Sequence, residues 1–404
     1  MIGVAAAMGV GGGAEAEPAA PMTNHPNWID GKPAPWPDMK RLEPQVATLY
    51  RPTTEWTYSH HPHLGWFAGR YHAIWSNGRI DEDAPGQRVL WATSRDGLSW
   101  TEAAVLAEPT VRDGKERILT AAGFLARGRT LTAYFAEYGE PDCADTRLFA
   151  VTSRDGKVWS KPADLGVPVC PNHGPHATRS GRLIIAGNIA FPYTDDRTGL
   201  NGWHMAGVYG EPGAFTKDDP HAFWGISKQR GWPTALCEGS FLQTADGTLR
   251  MLLRSTGPGF RHRLWYAESR DDGAHWSDPV EADFSDCNTK FHLGKLPDGR
   301  FTYVGSPLAG SRCPLVVSTS RDGLSFDRHF DIGRTPYAMS RPGRWKGGEY
   351  GYPHSLVRDG RLWVIVSRQK EGVEVLGVPL EELTRHTPTA PARQAQRPGS
   401  SVAA

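Results

Sequence analysis

Residues Ser94–Trp100 read SRDGLSW, and the phrase returns as SRDGKVW at Ser153–Trp159, SRDDGAHW at Ser269–Trp276 and SRDGLSF at Ser320–Phe326. Self-similarity at a spacing of tens of residues marks a repeat architecture. Each copy carries the chemistry of a tight turn. Ser and Asp side chains bond nearby backbone N–H groups, Gly takes a positive φ, and the closing aromatic ring tucks under the turn. Upstream lie an apolar run, a glycine turn, a second run, a loop and a third run ending in the phrase. Ser59–Trp100 shows this as HLGWF, AGR, YHAIWSNG, RIDEDAPGQ and RVLWATS. Short Gly-containing turns between alternating runs signal hairpins. Equivalent turns fall at Arg127–Arg129, Ser180–Arg182, Ala245–Gly247, Pro297–Gly299 and Arg358–Gly360. Six units result, starting near residues 59, 117, 174, 236, 287 and 351, and the third and sixth lack the phrase.

Composition agrees with many short strands. Gly 46 and Pro 32 favour turns over long helices, and 404 residues with 15 Trp can form one large all-β unit. Lys+Arg 45 against Asp+Glu 44 gives no electrostatic case for nucleic acid or an anionic membrane. No stretch reaches the ~20 apolar residues of a membrane span. The five cysteines (143, 170, 237, 287, 313) are scattered and odd in number, and are read as mostly buried free thiols. The first residues hold a short apolar run and an Ala-Glu-Ala but no basic n-region. Residues 1–26 are therefore read as a disordered or cleaved leader, with a secreted or periplasmic location. Residues 385–404, rich in Pro, Ala and Ser, are read as a disordered tail.

The recurring phrase resembles the Asp-box of sialidase-like β-propellers, Ser-x-Asp-x-Gly-x-x-Trp. The third copy has the full spacing; the others lack the residue between Asp and Gly. The resemblance implies an all-β fold, a single β-propeller of four-stranded blades over residues 27–384. The stretch Val46–Trp56 would pair with C-terminal strands to close the ring. Six blades are read directly. A seventh, which the nearest propeller group implies, would fall among the termini or in 193–235 and 327–350.

In such a ring, residues opening the first strand of a blade or closing the second converge on the axis, opposite the Asp-boxes. They are His60, His61, His63, Asn77, Tyr138, His173, His176, Asn188, Glu238, Arg254, Asn288, His292, Tyr352 and His354, with Arg312 across the same rim. This concentration of His, Arg, Tyr and Glu is the candidate site. Cys237–Ser255 (CEGSFLQTADGTLRMLLRS), and Ser311–Gly323 followed by Gly351–Leu362, are similar to the sialidase blades that present Glu and Arg, then a further Arg and Tyr. The resemblance puts Glu238, Arg254, Arg312 and Tyr352 on sialidase positions. In that family three arginines hold the substrate carboxylate, and Tyr is the nucleophile paired with Glu, an exception among glycosidases. This chain departs where a sialidase has Tyr-Arg-Ile-Pro. Tyr58–Leu64 reads YSHHPHL, so histidine replaces the first arginine, and Asp81–Gln87 (DEDAPGQ) is a loose counterpart of the acid loop. Losing a bidentate grip on the carboxylate disfavours a plain sialidase.

The combination YSHHPH, WSNGRIDEDAPGQRV and GYPHSLV also resembles the L-rhamnose-α-1,4-D-glucuronate lyases, ulvan lyases and rhamnosidase-like propellers, over most of residues 45–380. This implies a monomer cleaving a uronate-containing oligo- or polysaccharide by β-elimination. An arginine would neutralise the carboxylate, a base of near-neutral pKa would take the C5 proton, and a donor would protonate the leaving oxygen. Catalytic candidates are His60, His61, Tyr138, Tyr352 and His354; Asn77, His176, Glu238, Arg254 and Arg312 would bind substrate. A glycoside hydrolase of sialidase or α-L-rhamnosidase type, and a non-catalytic glycan-binding propeller, are the alternatives. Some relatives carry a structural Ca²⁺ in the central channel, although no acidic cluster here demands one. His60 and His61 fall on opposite faces of a regular strand, with no acidic or Cys partner at ligand spacing, so no metal site is expected. Glu238 reads equally as an ion-pair partner of Arg254 across its hairpin.

Overall fold

Alternating apolar runs become antiparallel strands throughout the computed structural model, which describes residues 20–140, 143–208, 230–257 and 259–385. Helix among the described residues is confined to Leu380–Thr384. Six sheets of three or more strands follow one another along the chain. Sheet I comprises Tyr58–Phe67, Arg70–Gly78, Arg88–Ser94 and Ala104–Ala107; sheet II comprises Ile118–Arg127, Thr130–Gly139, Ala144–Ser153 and Ala163–Asp164. Sheet III is His176–Ala177, Leu183–Ile184 and Tyr193–Thr194; sheet IV is Ala235–Gln243, Leu249–Thr256, Arg263–Ser269 and Val280–Ser285. Sheet V runs His292–Lys295, Phe301–Gly305, Leu315–Ser320 and Phe326–Gly333, with Lys40–Arg41 added in parallel at its edge. Sheet VI runs Gly351–Arg358, Arg361–Arg368 and Gly372–Pro379, and Gln45–Tyr50 pairs antiparallel with the last of these.

Neighbouring sheets share their cores. Ile74 and Val89 of sheet I pack with Leu119 and Phe135 of sheet II. Tyr134, Leu183 and Leu253 join sheets II, III and IV, and Leu252, Phe284 and Tyr303 join IV to V. Val317 meets Val364 between V and VI, and Trp363 and Ile365 of sheet VI pack with Leu64 and Trp75 of sheet I. Covered on both faces, the inner strands lose the polar face of a half-exposed strand: Arg361–Arg368 is buried from Leu362 onward. This architecture is nearly all β.

The SRDG turns explain how the sheets stay in register with one another. Ser94 Oγ accepts from Gly97 N at 2.8 Å, and Asp96 Oδ1 accepts from Leu98 N at 2.9 Å and Ser99 N at 2.7 Å. Trp100 Nε1 closes the turn onto Gly97 O at 3.0 Å. The four turn glycines have φ of +78° (Gly97), +71° (Gly156), +87° (Gly273) and +81° (Gly323). Each also lies against the sheet before its own. A Cβ on Gly97 would stand 2.7 Å from Trp363, one on Gly156 2.6 Å from His72, and one on Gly273 2.5 Å from Ile184.

Part of the expected leader is packed. Met22 is fully buried among Leu242, Phe284 and Phe326, and Thr23 N donates to Leu324 O at 2.9 Å. Residues 1–19 and the tail from 386 lie outside the described residues, as does 209–229 within the expected position of an extra blade. From 327 to 350 the chain adds only the rest of Phe326–Gly333, the outer strand of sheet V. Cys170, Cys237, Cys287 and Cys313 are free thiols, with Cys237 buried and the others half-buried.

Gly97 and Gly69 both have positive φ, but nothing lies within 4 Å of a Cβ on Gly69. Gly97→Ala should therefore lower stability by about 1–3 kcal/mol more than Gly69→Ala, the cost of overpacking against Trp363. Paired denaturant titrations measure the difference.

Candidate active site

Three first strands break their regular pairing at the residues that matter. Register shifts fall between His60 and His63, between Leu236 and Gly239, and between Gly351 and His354. A bulge re-aims the side chains around it. His61 and Tyr352 both sit at φ +51°, a left-handed conformation that costs a non-glycine residue roughly 1–2 kcal/mol. The expectation that His60 and His61 face opposite ways assumed a regular strand, and the bulge overturns it. Their ring centroids are 4.6 Å apart, and Tyr352 lies 4.0 Å from the His60 ring and 5.2 Å from that of His61.

The centre of the site is a hydrogen-bonded trio. Arg254 Nη1 donates to both Glu238 oxygens at 2.9 Å and lies 2.9 Å from the Tyr352 hydroxyl, which itself bonds Glu238 Oε1. Arg254 Nε is fixed by Asn288 Oδ1 at 2.8 Å. Burial alone would raise the Glu238 pKa, but the Arg254 charge and the Tyr352 bond outweigh it and hold it at about 2. Burial and the Glu238 charge push Tyr352 well above the usual phenol range. Glu238 thus has both roles at once, ion-pair partner of Arg254 and acceptor for Tyr352.

The loop Asp81–Gln87 supplies two more acids whose pKa values are pushed in opposite directions. Glu82 Oε1 lies 3.6 Å from His60 Nε2 and 3.5 Å from His61 Nε2, and Glu82 pairs with Lys370. Burial opposes the Glu82 charge, yet Lys370 and His61 keep its pKa low. Asp83 accepts from the Tyr138 hydroxyl, which also contacts Thr120 Oγ1 at 2.7 Å. Burial and the neighbouring Glu82 raise the Asp83 pKa well above the carboxylate range. Two adjacent carboxyls pushed apart in this way give an acid–base division of labour.

Three cations surround the Tyr352 ring, with Lys290 Nζ 5.4 Å, Arg312 Cζ 5.6 Å and Arg254 Cζ 6.0 Å from its centroid. Arg312 Nη1 is buried with no hydrogen-bond partner. Burial holds Lys290 down at about 7, despite the charge of Glu238. The histidines do not add to this positive charge. Burial lowers His61 to about 3 even beside Glu82, and holds His60 well below the usual imidazole range.

Of the expected site residues, the structure gathers His60, His61, Tyr138, Glu238, Arg254, Arg312 and Tyr352. It does not bring in the other three. Asn77 braces its own hairpin, donating to Tyr58 O at 3.0 Å and accepting from Arg88 Nε at 3.0 Å. His354, past the bulge from Tyr352, stacks instead with His63 and His292, at 5.2 and 4.4 Å between centroids. His176 lies 5.7 Å from His292 in the same group. Lys290 and Lys370 were not foreseen. Lys290 precedes the first strand of sheet V, where rim residues are expected, so position alone could have flagged it. Lys370 sits in the turn between the last two strands of sheet VI, and nothing local marks it.

The comparisons follow from this geometry. A family model described as a BNR repeat-like domain matches residues 69–364. No curated protein matches the chain. A Dyadobacter fermentans protein of unknown function superposes with a TM-score of 0.59 at 16% identity, covering 85% of this chain and 100% of that one. Trypanosoma rangeli sialidase in complex with sialic acid gives 0.58 at 15% identity, covering 85% of this chain but 60% of the sialidase. A Hadza microbial sialidase gives 0.58 at 12%, covering 80% and 66%. The chain thus spans about three fifths of the trypanosomal enzyme's length. The fold is that of sialidase-like BNR propellers.

Removing Arg254 leaves a buried carboxylate without its counter-charge. Arg254→Ala should cost about 3 kcal/mol of stability, and adding Glu238→Gln should recover part of that loss. Unfolding free energies of the two single variants and the double variant give the coupling.

Proposed function

The chain belongs to the BNR repeat-like domain family, and on that premise we propose that it is a glycoside hydrolase of sialidase type, acting on a glycan whose terminal sugar carries a carboxylate. The observation that carries this reading is the Tyr352–Glu238–Arg254 trio, with Lys290 and Arg312 also beside the Tyr352 ring. A phenol held far above its usual pKa is a poor nucleophile until its proton has somewhere to go, and the ionised Glu238 on its oxygen supplies that acceptor. Tyr352 would attack the anomeric carbon as its proton passes to Glu238. Asp83, protonated through its raised pKa, would donate to the departing glycosidic oxygen. The Asp83 carboxylate so formed would then take a proton from the water that releases the sugar from Tyr352, while Glu238 returns its proton to the departing Tyr352 oxygen.

Arg312, Arg254 and Lys290 suit the substrate carboxylate. Arg312 brings an unpaired buried nitrogen, and Lys290 contributes the third cation that the missing first arginine would have provided. A sialic acid or a uronate meets this requirement. A neutral rhamnoside would leave the cations idle. β-Elimination is the weaker reading, because the histidine expected as its base should titrate near the working pH and burial lowers His61 to about 3. We read the six sheets as six blades of a ring, closed where Gln45–Tyr50 pairs with Gly372–Pro379. A monomeric, secreted or periplasmic enzyme accords with a glycan substrate.

Incubation with 4-methylumbelliferyl glycosides of N-acetylneuraminic and glucuronic acid tests the class. Fluorophore release supports hydrolysis, whereas unsaturated-uronate absorbance from a rhamnosyl-glucuronan, without release, would sink it. Tyr352→Phe should lower kcat/KM by at least about a thousandfold. The rate with unactivated leaving groups should persist at low pH and fall as pH rises through the elevated Asp83 pKa, where the acid loses its proton. Asp83→Asn should abolish that limb in a pH–rate profile, and should spare activated aryl substrates more than natural glycans.

A further inference from the structure

Beyond the Tyr352 bulge, the first strands bring together histidines that the proposed chemistry does not use. Ring centroids are 4.4 Å apart for His292–His354, 4.8 Å for His173–His292 and 5.7 Å for His173–His354. One ligand nitrogen from each of these three lies within 4.8 Å of the other two. His173 Nδ1 and His292 Nε2 are buried with no hydrogen-bond partner, in residues 1% and 3% exposed. An unpartnered buried polar atom costs about 1–3 kcal/mol, so two side by side call for an occupant.

The opposite ring nitrogen of His173 is held as that of a metal-ligating histidine usually is. His173 Nε2 donates to Phe291 O at 3.0 Å, which leaves the lone pair on Nδ1. His292 Nδ1 lies 2.8 Å from Ser355 Oγ and accepts from Ser355 N at 3.3 Å, so an ion on Nε2 would require the ring proton to move to Nδ1 and be donated to the hydroxyl in place of the amide contact. His354 is held more loosely, with the Leu64 amide 3.2 Å from its Nδ1. A cavity of about 410 Å³ lined by His176 and His292, and one of about 360 Å³ reaching His354 as well, give an entry path.

The Ca²⁺ implied by the sequence resemblance does not fit here, because calcium takes six to eight oxygen ligands and this donor set is imidazole nitrogen. We propose instead that His173, His292 and His354 bind one divalent transition-metal ion, zinc being the best match to neutral imidazoles, with His176 or water as fourth donor. Reaching bonds of about 2.1 Å needs side-chain rotations on the order of an ångström. The ion would tie together the segments that lead sheets III, V and VI.

The test uses the full chain, stripped with chelator and dialysed, and reads binding rather than turnover. Zn²⁺ or Co²⁺ should bind at one ion per chain by elemental analysis and raise Tm by a few degrees, while Ca²⁺ and Mg²⁺ do not. Bound Co²⁺ should give a visible ligand-field band. His173→Gln and His292→Gln should each weaken Co²⁺ binding by at least about tenfold, and His61→Gln should leave it unchanged. If the variants fail to fold, reversal of the Tm rise and of the band by chelator in the wild-type chain decides the matter. No preference for Zn²⁺ over Ca²⁺ would mean that only water fills the cluster, and would overturn the proposal. So would a band lost in His61→Gln but kept in His173→Gln, which moves the ion to His60, His61 and Glu82.

Discussion

Each SRDG turn does two jobs, and the rest of the structure depends on their being done by the same residues. The Ser and Asp side chains take up the turn's N–H groups, so the chain reverses without leaving donors unpaired. The glycine at its apex has a positive φ and lies directly against the preceding sheet. A side chain there would be strained by the backbone and blocked by Trp363, His72 or Ile184. The turn therefore acts as a spacer. It sets how closely one sheet approaches the next, and thereby how the opposite ends of the same strands converge.

At that convergence the fold accepts strain in return for geometry. A regular strand would send successive side chains to alternate faces. The bulges at His61, Glu238 and Tyr352 break the alternation and turn residues from sheets I, IV and VI toward one point. Charge balance then keeps the cluster viable. Glu238 is offset by Arg254 and Glu82 by Lys370, while the excess falls to neutral forms: Asp83 protonated, the histidines uncharged. What remains is Arg312, with a buried Nη1 that no protein group bonds, and Lys290, both beside the Tyr352 ring.

The repeat was readable because its signal is local. Ser, Asp, Gly and the closing aromatic lie within eight residues, and so do the hairpin turns that define each unit. Glu238, Arg254, Arg312 and Tyr352 were also legible, through the resemblance of their segments to sialidase blades. The Asp81–Gln87 loop could be seen to matter. Which of its carboxyls stays charged could not, because Lys370 lies 288 residues from Glu82 in sequence. Lys290 was passed over in favour of its neighbours, and Asn77, His176 and His354 were included on strand position alone.

The sequence by itself determined the repeated unit and the all-β class, because turn chemistry is a property of short segments, while the Tyr–Glu–Arg trio was picked out by its resemblance to sialidase blades. Only the tertiary structure decided which side chains meet. A bulge shifts a residue to the other face without a clear mark in the local pattern, so the convergence of His60 with His61 and the parting of His354 from Tyr352 stayed hidden. Protonation states followed from the same cause. Burial and neighbouring charge set them, and both come from residues that the chain holds far apart.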